Sequence, residues 1–205
     1  MNERFDKYID KVKKFYSKNK DYYHTIHHIH RMFEVYEKFE EQFDEEFEYD
    51  KDDLFWSIAF HDAYYLVGYE YNEYISGEIA MKELREIKDN ESLFKIKKTI
   101  WLTEVDFNDT NFSKLKTPEE KIIHDLDWSG FFDYYHLLKN EEKIFQEAND
   151  TGNFYWRDVR KNQFNFYKMF SKSNLYLTNA MKDLNKVARE NISSRINDFR
   201  ISFSF

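Results

Sequence analysis

The sequence predicts an all-α fold, and three observations carry that expectation. Among 205 residues only 4 are Gly and 1 is Pro, too few turn-formers for a β-sandwich or barrel and suited to long helices joined by short polar loops. Apolar residues recur at three- and four-residue spacing along most of the chain, the period of a helix with one buried face. Hydrophobic residues make up 41% and aromatic residues 20%, enough to fill one sizeable core, so residues 1–205 read as a single helical domain.

Charge and composition narrow the function classes. The formal net charge of -8 repels a phosphodiester backbone, and without a segregated basic patch a nucleic acid polymer is not an expected partner. The chain holds 0 Cys, so thiol chemistry and disulfides are excluded and His, Asp and Glu remain as metal ligands. The opening Met1-Asn2-Glu3-Arg4-Phe5-Asp6-Lys7 lacks the apolar core of a signal peptide, and no apolar run reaches ~18 residues. A cytoplasmic protein with no membrane partner is the expectation.

Taken in order, Phe5, Tyr8, Ile9, Val12, Phe15 and Tyr16 predict a helix over about 3–18, stopped by Ser17-Lys18-Asn19-Lys20-Asp21. A second helix is expected over 23–43, with Ile26, Ile29, Met32, Phe33, Tyr36, Phe39 and Phe43 inward and four of the 7 histidines in its first turns. Asp44 to Asp53 is an acidic connector in which Asp50 and Asp53 suit the positive end of a helix dipole. The third helix is the apolar run Leu54-Phe55-Trp56-Ser57-Ile58-Ala59-Phe60, followed by an aromatic loop over 63–71.

Asn72 is a candidate cap for a fourth helix with Glu73 in its first turn and Ile75, Ile79, Ala80 and Leu84 inward. A fifth is expected over 91–104 through Leu93, Ile96, Ile100 and Trp101, before a polar loop over 106–116. Thr117-Pro118-Glu119-Glu120 is the clearest helix start: a capping hydroxyl, proline at the first helical position and glutamate at the third. Further helices are expected over 132–148, 155–171 and 175–199, with an alternating tail, Ile201-Ser202-Phe203-Ser204-Phe205. There is no repeat and no low-complexity segment.

The residues that bear chemistry centre on His61-Asp62, where the buried third helix runs out. The pair offers a nitrogen and an oxygen ligand from adjacent positions, which suits a divalent ion. His24 and His28 stand four apart, about 40° around a helix axis, so both can face one cavity, while His27 and His30 point elsewhere. Asp125 and Asp127 supply carboxylates near the end of a later apolar helix, where an ionised group is costly to bury unless a cation or hydrogen-bond donors compensate it.

The order of these residues resembles the HD superfamily of metal-dependent phosphohydrolases, and more narrowly the small stand-alone bacterial HD proteins. A Tyr-His-x-x-x-His-Ile element is matched by Tyr23-His24-Thr25-Ile26-His27-His28-Ile29, and Phe-His-Asp-Ala-x-Tyr by Phe60-His61-Asp62-Ala63-Tyr64-Tyr65. Asn-Glu-x-x-Ser-Ala is met by Asn72-Glu73-Tyr74-Ile75-Ser76-Gly77, Asp-x-Asp-Leu by Asp125-Leu126-Asp127-Trp128, and the closing helix by Ala188-Arg189-Glu190-Asn191-Ile192. The resemblance runs from about residue 20 to 195. It implies a helical bundle with a central metal pocket whose ligands are His28, His61, Asp62 and Asp127. The departures are Asp106, in Thr103-Glu104-Val105-Asp106, where the family carries a histidine, Gly77 in place of an alanine, Trp128 in place of a leucine, and an arginine-rich opening of the penultimate helix only partly met by Arg157 and Arg160.

Two imidazoles and two carboxylates leave open positions on manganese, iron, magnesium, nickel or cobalt for water and a phosphate oxygen. The expected function is hydrolysis of a phosphomonoester or nucleotide, with a small phosphorylated molecule as partner. Glu73 is the candidate for acid/base work and His24 for a hydrogen bond to phosphate, while Tyr64, Tyr65 and Trp128 are either stacking platforms or core. Two other readings are weighed: a non-catalytic nucleotide- or partner-binding module, and a di-iron oxygenase, which needs extra histidines between His61-Asp62 and Asp127, where the chain offers only His124 and where Asp106 is not the expected ligand.

Overall fold

In the computed structural model, which describes residues 3–16, 22–151 and 156–203, the chain is all-α, and no strand occurs among the described residues. A 3-10 turn, Glu3–Phe5, leads into α1 (Asp6–Val12), followed by α2 (Ile26–Glu46), α3 (Lys51–Phe60), α4 (Asn72–Leu84) and α5 (Asn90–Trp101). Then come α6 (Pro118–Asp127), a 3-10 turn at Trp128–Phe132, α7 (Tyr134–Thr151), α8 (Trp156–Phe170), a 3-10 turn at Lys182–Leu184 and α9 (Asn185–Phe203). No helix among the described residues is long and apolar enough to cross a membrane.

The caps follow the local chemistry. Asp50 accepts from the Asp53 N–H at 3.0 Å and starts α3, and the Asp89 side chain does the same for α5 from the Ser92 N–H. Thr117 and Glu120 close a reciprocal capping box with Pro118 in the first turn of α6. α3 is central, with every side chain from Asp53 to Phe60 buried, and it packs against α1, α2, α4, α5 and α6.

The aromatic content divides between two clusters. Phe5 stacks on Phe33 at 4.3 Å and meets Phe55 edge-on, while Trp56 sits across Tyr8 at 4.5 Å. Around Trp128 lie Phe112, Phe131, Phe166 and Phe170. Offset and edge-on contacts of this kind add to the hydrophobic gain of burial. Phe112 adopts φ 54°, a conformation that costs a non-glycine residue about 1–2 kcal/mol, and its ring is held between His124, Trp128 and Phe170.

Several expected boundaries move. The first helix ends at Val12 in tight turns, which bring the Tyr16 hydroxyl to the Ala59 carbonyl at 2.9 Å; the expected stop over Ser17–Asp21 lies outside the described residues. The second helix begins at Ile26, because Thr25 is extended (φ -132°, ψ 170°). Asn72 does not cap α4. It lies inside the helix, and its amide accepts from the Leu66 N–H and donates to the Leu66 carbonyl, at 2.8 and 2.9 Å, folding the aromatic loop back on itself. Trp101 ends α5 exposed to solvent.

The largest shift is at α9, which starts at Asn185 instead of 175. The Asp125 carboxylate accepts from the Leu177 N–H, the Thr178 N–H and the Thr178 hydroxyl at 2.7 to 2.9 Å, and the Asn185 amide pairs with both backbone groups of Tyr176. Those bonds satisfy the backbone without a helix. The helix then runs through Phe203, so the tail is not a separate alternating segment as far as it is described; Ser204 and Phe205 lie outside the described residues.

Asp125→Ala should therefore destabilise the fold by about 2–4 kcal/mol in chemical denaturation, since a buried N–H, a half-buried N–H and a buried hydroxyl lose their acceptor.

Candidate metal centre

His61 follows directly on α3, and its Nδ1 lies 2.9 Å from the Ile58 carbonyl oxygen. A carbonyl only accepts, so Nδ1 carries a proton, and Nε2 is the nitrogen whose lone pair becomes available to a metal when the ring is neutral. That Nε2 is buried and makes no hydrogen bond. It lies 3.0 Å from Asp62 Oδ2 and 3.9 Å from Asp127 Oδ1. His28, in the first turn of α2, mirrors it: its Nε2 is 2.9 Å from Asp127 Oδ1 and 3.9 Å from Asp62 Oδ2. Asp127 is the last residue of α6, so the ends of three helices bring two imidazoles together with Asp62, and Asp127 meets both imidazoles from the far side while standing outside the tightest group, His28, His61 and Asp62.

One ligand atom from each of His28, His61 and Asp62 lies within 4.8 Å of the others, forming a candidate metal-binding group. Atoms bound to one ion at about 2.1 Å sit roughly 3 Å apart when adjacent in an octahedron and roughly 4.2 Å apart when opposite. The nitrogen–oxygen separations of 2.9 to 3.9 Å fall in that interval. The side chains of His28, His61 and Asp62 are 6%, 2% and 9% exposed, so water does little to screen the charges.

The electrostatics have the same origin. Burial alone would lower the His61 pKa, but the Asp62 carboxylate, helped by Asp127, pushes it up to about 9. Burial alone would raise Asp62, yet the imidazoles of His61, His24 and His28 hold it well below the usual carboxylate range. Asp127 is likewise lowered against burial, through His28 first. The site thus demands positive charge, as bound protons or as a cation.

His24 precedes α2, so the helical spacing expected to align it with His28 does not apply. A different route brings it to the site. Its ring stacks on Tyr65, with centroids 3.3 Å apart, and its Nδ1 lies 2.7 Å from the buried Glu147 of α7. His24, His61, Asp62, Tyr65, Glu73 and Asp127 all line one cavity of about 740 Å³ that continues past Trp128 and Phe131 to α7 and α8. Glu73 sits there in the first turn of α4; burial, with the Asp62 and Glu104 carboxylates, pushes its pKa up to about 7.

Other candidates are placed elsewhere. Asp125 faces the 177–178 backbone and not the centre. Asp106 is paired with Lys114 and accepts from the Asn108 N–H. His124 donates from Nε2 to the Leu175 carbonyl at 3.0 Å inside the second aromatic cluster. Tyr64 pairs with Tyr69, while Trp128 both fills the core and walls the cavity. Arg160 binds Glu141 and Glu142; the Arg157 side chain lies outside the described residues. Glu147, which holds His24, and Glu141, which ties α7 to Arg160 and Arg195, sit on an ordinary amphipathic helix with no local signal to set them apart.

No protein-family model, no curated protein and no solved structure matches the chain.

Asp62→Ala should abolish retention of a divalent ion, measured by metal analysis after loading with manganese and desalting, while far-ultraviolet circular dichroism stays helical. In metal-free protein Glu73 binds its proton more tightly when folded (pKa about 7) than at its ordinary 4.5, so it makes stability fall as pH rises between those values. Glu73→Gln should remove that loss, leaving the variant more stable than wild type above pH 7 by ~1–3 kcal/mol in urea titrations.

Proposed function

We propose that the chain is a metal-dependent phosphohydrolase of the HD type acting on a phosphomonoester or nucleotide. One observation carries the reading: His61, with its tautomer fixed by Ile58 and its Nε2 buried without a hydrogen bond, faces Asp62, His28 and Asp127 at the wall of a ligand-sized cavity. These four side chains would hold one divalent ion. When bound, such an ion lowers the pKa of a water and withdraws charge from a phosphoryl group.

The residues around it divide the remaining work. Glu73 exchanges a proton near neutral pH, the range in which a general acid/base is most effective. His24 is oriented by Glu147 and stacked on Tyr65, and its ring, at the cavity wall beside the centre, is the candidate contact to a phosphate oxygen. In the overall step the oxygen of water bonds to phosphorus, the phosphorus–oxygen bond to the alcohol breaks, and the proton lost by water ends on that alcohol. The di-iron alternative finds no support in the positions of His124 and Asp106, both engaged away from the centre.

The test is phosphate release from p-nitrophenyl phosphate with manganese, nickel or magnesium. The expected result is turnover that depends on metal, stops with chelator and falls about 10²-fold in Glu73→Gln with metal content retained. Stoichiometric metal without turnover of any phosphoester would instead support a binding module.

A further inference from the structure

We propose that the Tyr23 hydroxyl is a catalytic hydrogen-bond donor that reaches a non-bridging oxygen of the phosphoryl group during its transfer to water. The proposal rests on the phosphohydrolase reading and adds a donor to the same site.

Buried polar groups find partners as a rule, and the interior tyrosines of this chain follow it. Tyr16 donates to the Ala59 carbonyl, Tyr176 to the Trp128 carbonyl, Tyr8 to Asp52 and Tyr167 to Glu141, while Tyr36 pairs with Tyr49. The Tyr23 hydroxyl makes no hydrogen bond to a described residue. Nor is it sealed into the core as an orphan: Tyr23 lines the cavity together with His24, His61, Asp62 and Asp127.

The ring fixes where that hydroxyl stands. Its centroid lies 4.6 Å from that of His28 and, edge-on, 4.9 Å from that of His24. Tyr23 thus rests against one expected metal ligand and against the candidate phosphate contact. Burial first, then the Asp127 and Asp62 carboxylates, raises its pKa well above the ordinary value, so both charges act on a hydroxyl that bonds to neither. A phenol of ordinary pKa, about 10, already keeps its proton at neutral pH, and the donor role needs no shift.

Other polar groups of the wall do not fill this place. The carboxylates of the centre and Glu73 only accept when ionised. The unpaired amides of Asn140, Asn162 and Asn165 belong to α7 and α8, whereas Tyr23 packs on a residue of the centre itself. During transfer, negative charge spreads over the three equatorial oxygens of the phosphoryl group. With one held by the ion and one facing His24, the third is left for a further donor. A hydrogen bond that strengthens as this charge develops speeds the reaction without tightening substrate binding.

The experiment compares manganese-loaded wild type with Tyr23→Phe, which keeps the ring against both imidazoles and removes only the oxygen. The readouts are p-nitrophenyl phosphate kinetics, metal content, and calorimetric binding of orthovanadate, a transition-state mimic, and of inorganic phosphate. With metal retained, kcat should fall about 10- to 10²-fold, as expected for one lost hydrogen bond to a charged group, while KM changes by less than about threefold. Vanadate binding should weaken by about the same factor as kcat/KM, and phosphate binding by less. Unchanged kcat/KM overturns the proposal. So does a loss of activity that accompanies loss of metal, or one that leaves vanadate binding untouched; in each case wild-type turnover keeps the hydrolase reading intact. Absence of metal-dependent phosphate release from wild type overturns that reading and this proposal together.

Discussion

Two carboxylates, Asp62 and Asp127, held among largely buried groups beside two imidazoles form the constraint on which the rest of the molecule depends. Burying ionised groups costs several kcal/mol each unless opposite charge compensates them, so the fold must bring the partners to within hydrogen-bond range or forgo the site. Three helix ends meet that demand. α3 stops after Phe60, α6 stops at Asp127 and α2 begins at Ile26, each placing its ligand where the backbone is free to turn. The interlocked aromatic rings between α1, α2 and α3 fix the relative positions of α2 and α3, because a close-packed core resists small displacements.

The molecule divides its labour accordingly. α2, α3 and α6 hold the charged centre, while the 128–132 turn, α7 and α8 wall much of the cavity beside it. The second part is tied together by Glu141, which binds Arg160 of α8 and Arg195 of α9 and also accepts from the Tyr167 hydroxyl. Three helices converge on one buried carboxylate, and Trp128 joins this part to the end of α6. Chamber and centre are thereby held in a fixed relation without a covalent crosslink.

Much of this was legible in the sequence where the signal is local. The helix count, the Thr117 capping box, the Asp50 cap and the His61-Asp62 pair at the end of a buried run all follow from a few adjacent residues. What was misplaced depends on partners far along the chain. Residues 175–184 carry helix-compatible apolar spacing, but Asp125, some 50 positions earlier, takes their backbone donors. Asn72 has the chemistry of a cap, yet Leu66 offers both a donor and an acceptor to its amide. His24 reached the expected cavity from outside the expected helix, held by Glu147. Spacing can propose that two side chains share a face; it cannot say which distant group will claim them.

The histidines show how a partner assigns a role. His61 and His124 are both buried, and each donates one ring N–H to a backbone carbonyl, Ile58 and Leu175. Burial acts in the same direction on both, against the charged form. At His124 burial dominates, among the rings of Phe112 and Trp128, and its pKa falls to about 4, so it stays neutral as part of the core. At His61 the same penalty is outweighed by Asp62 and Asp127, and the pKa rises to about 9. Residue type, burial and carbonyl partner are shared, so the two carboxylates account for the difference. Their pull on a proton is the same pull that would hold a divalent cation, which is why His61 and not His124 belongs to the centre.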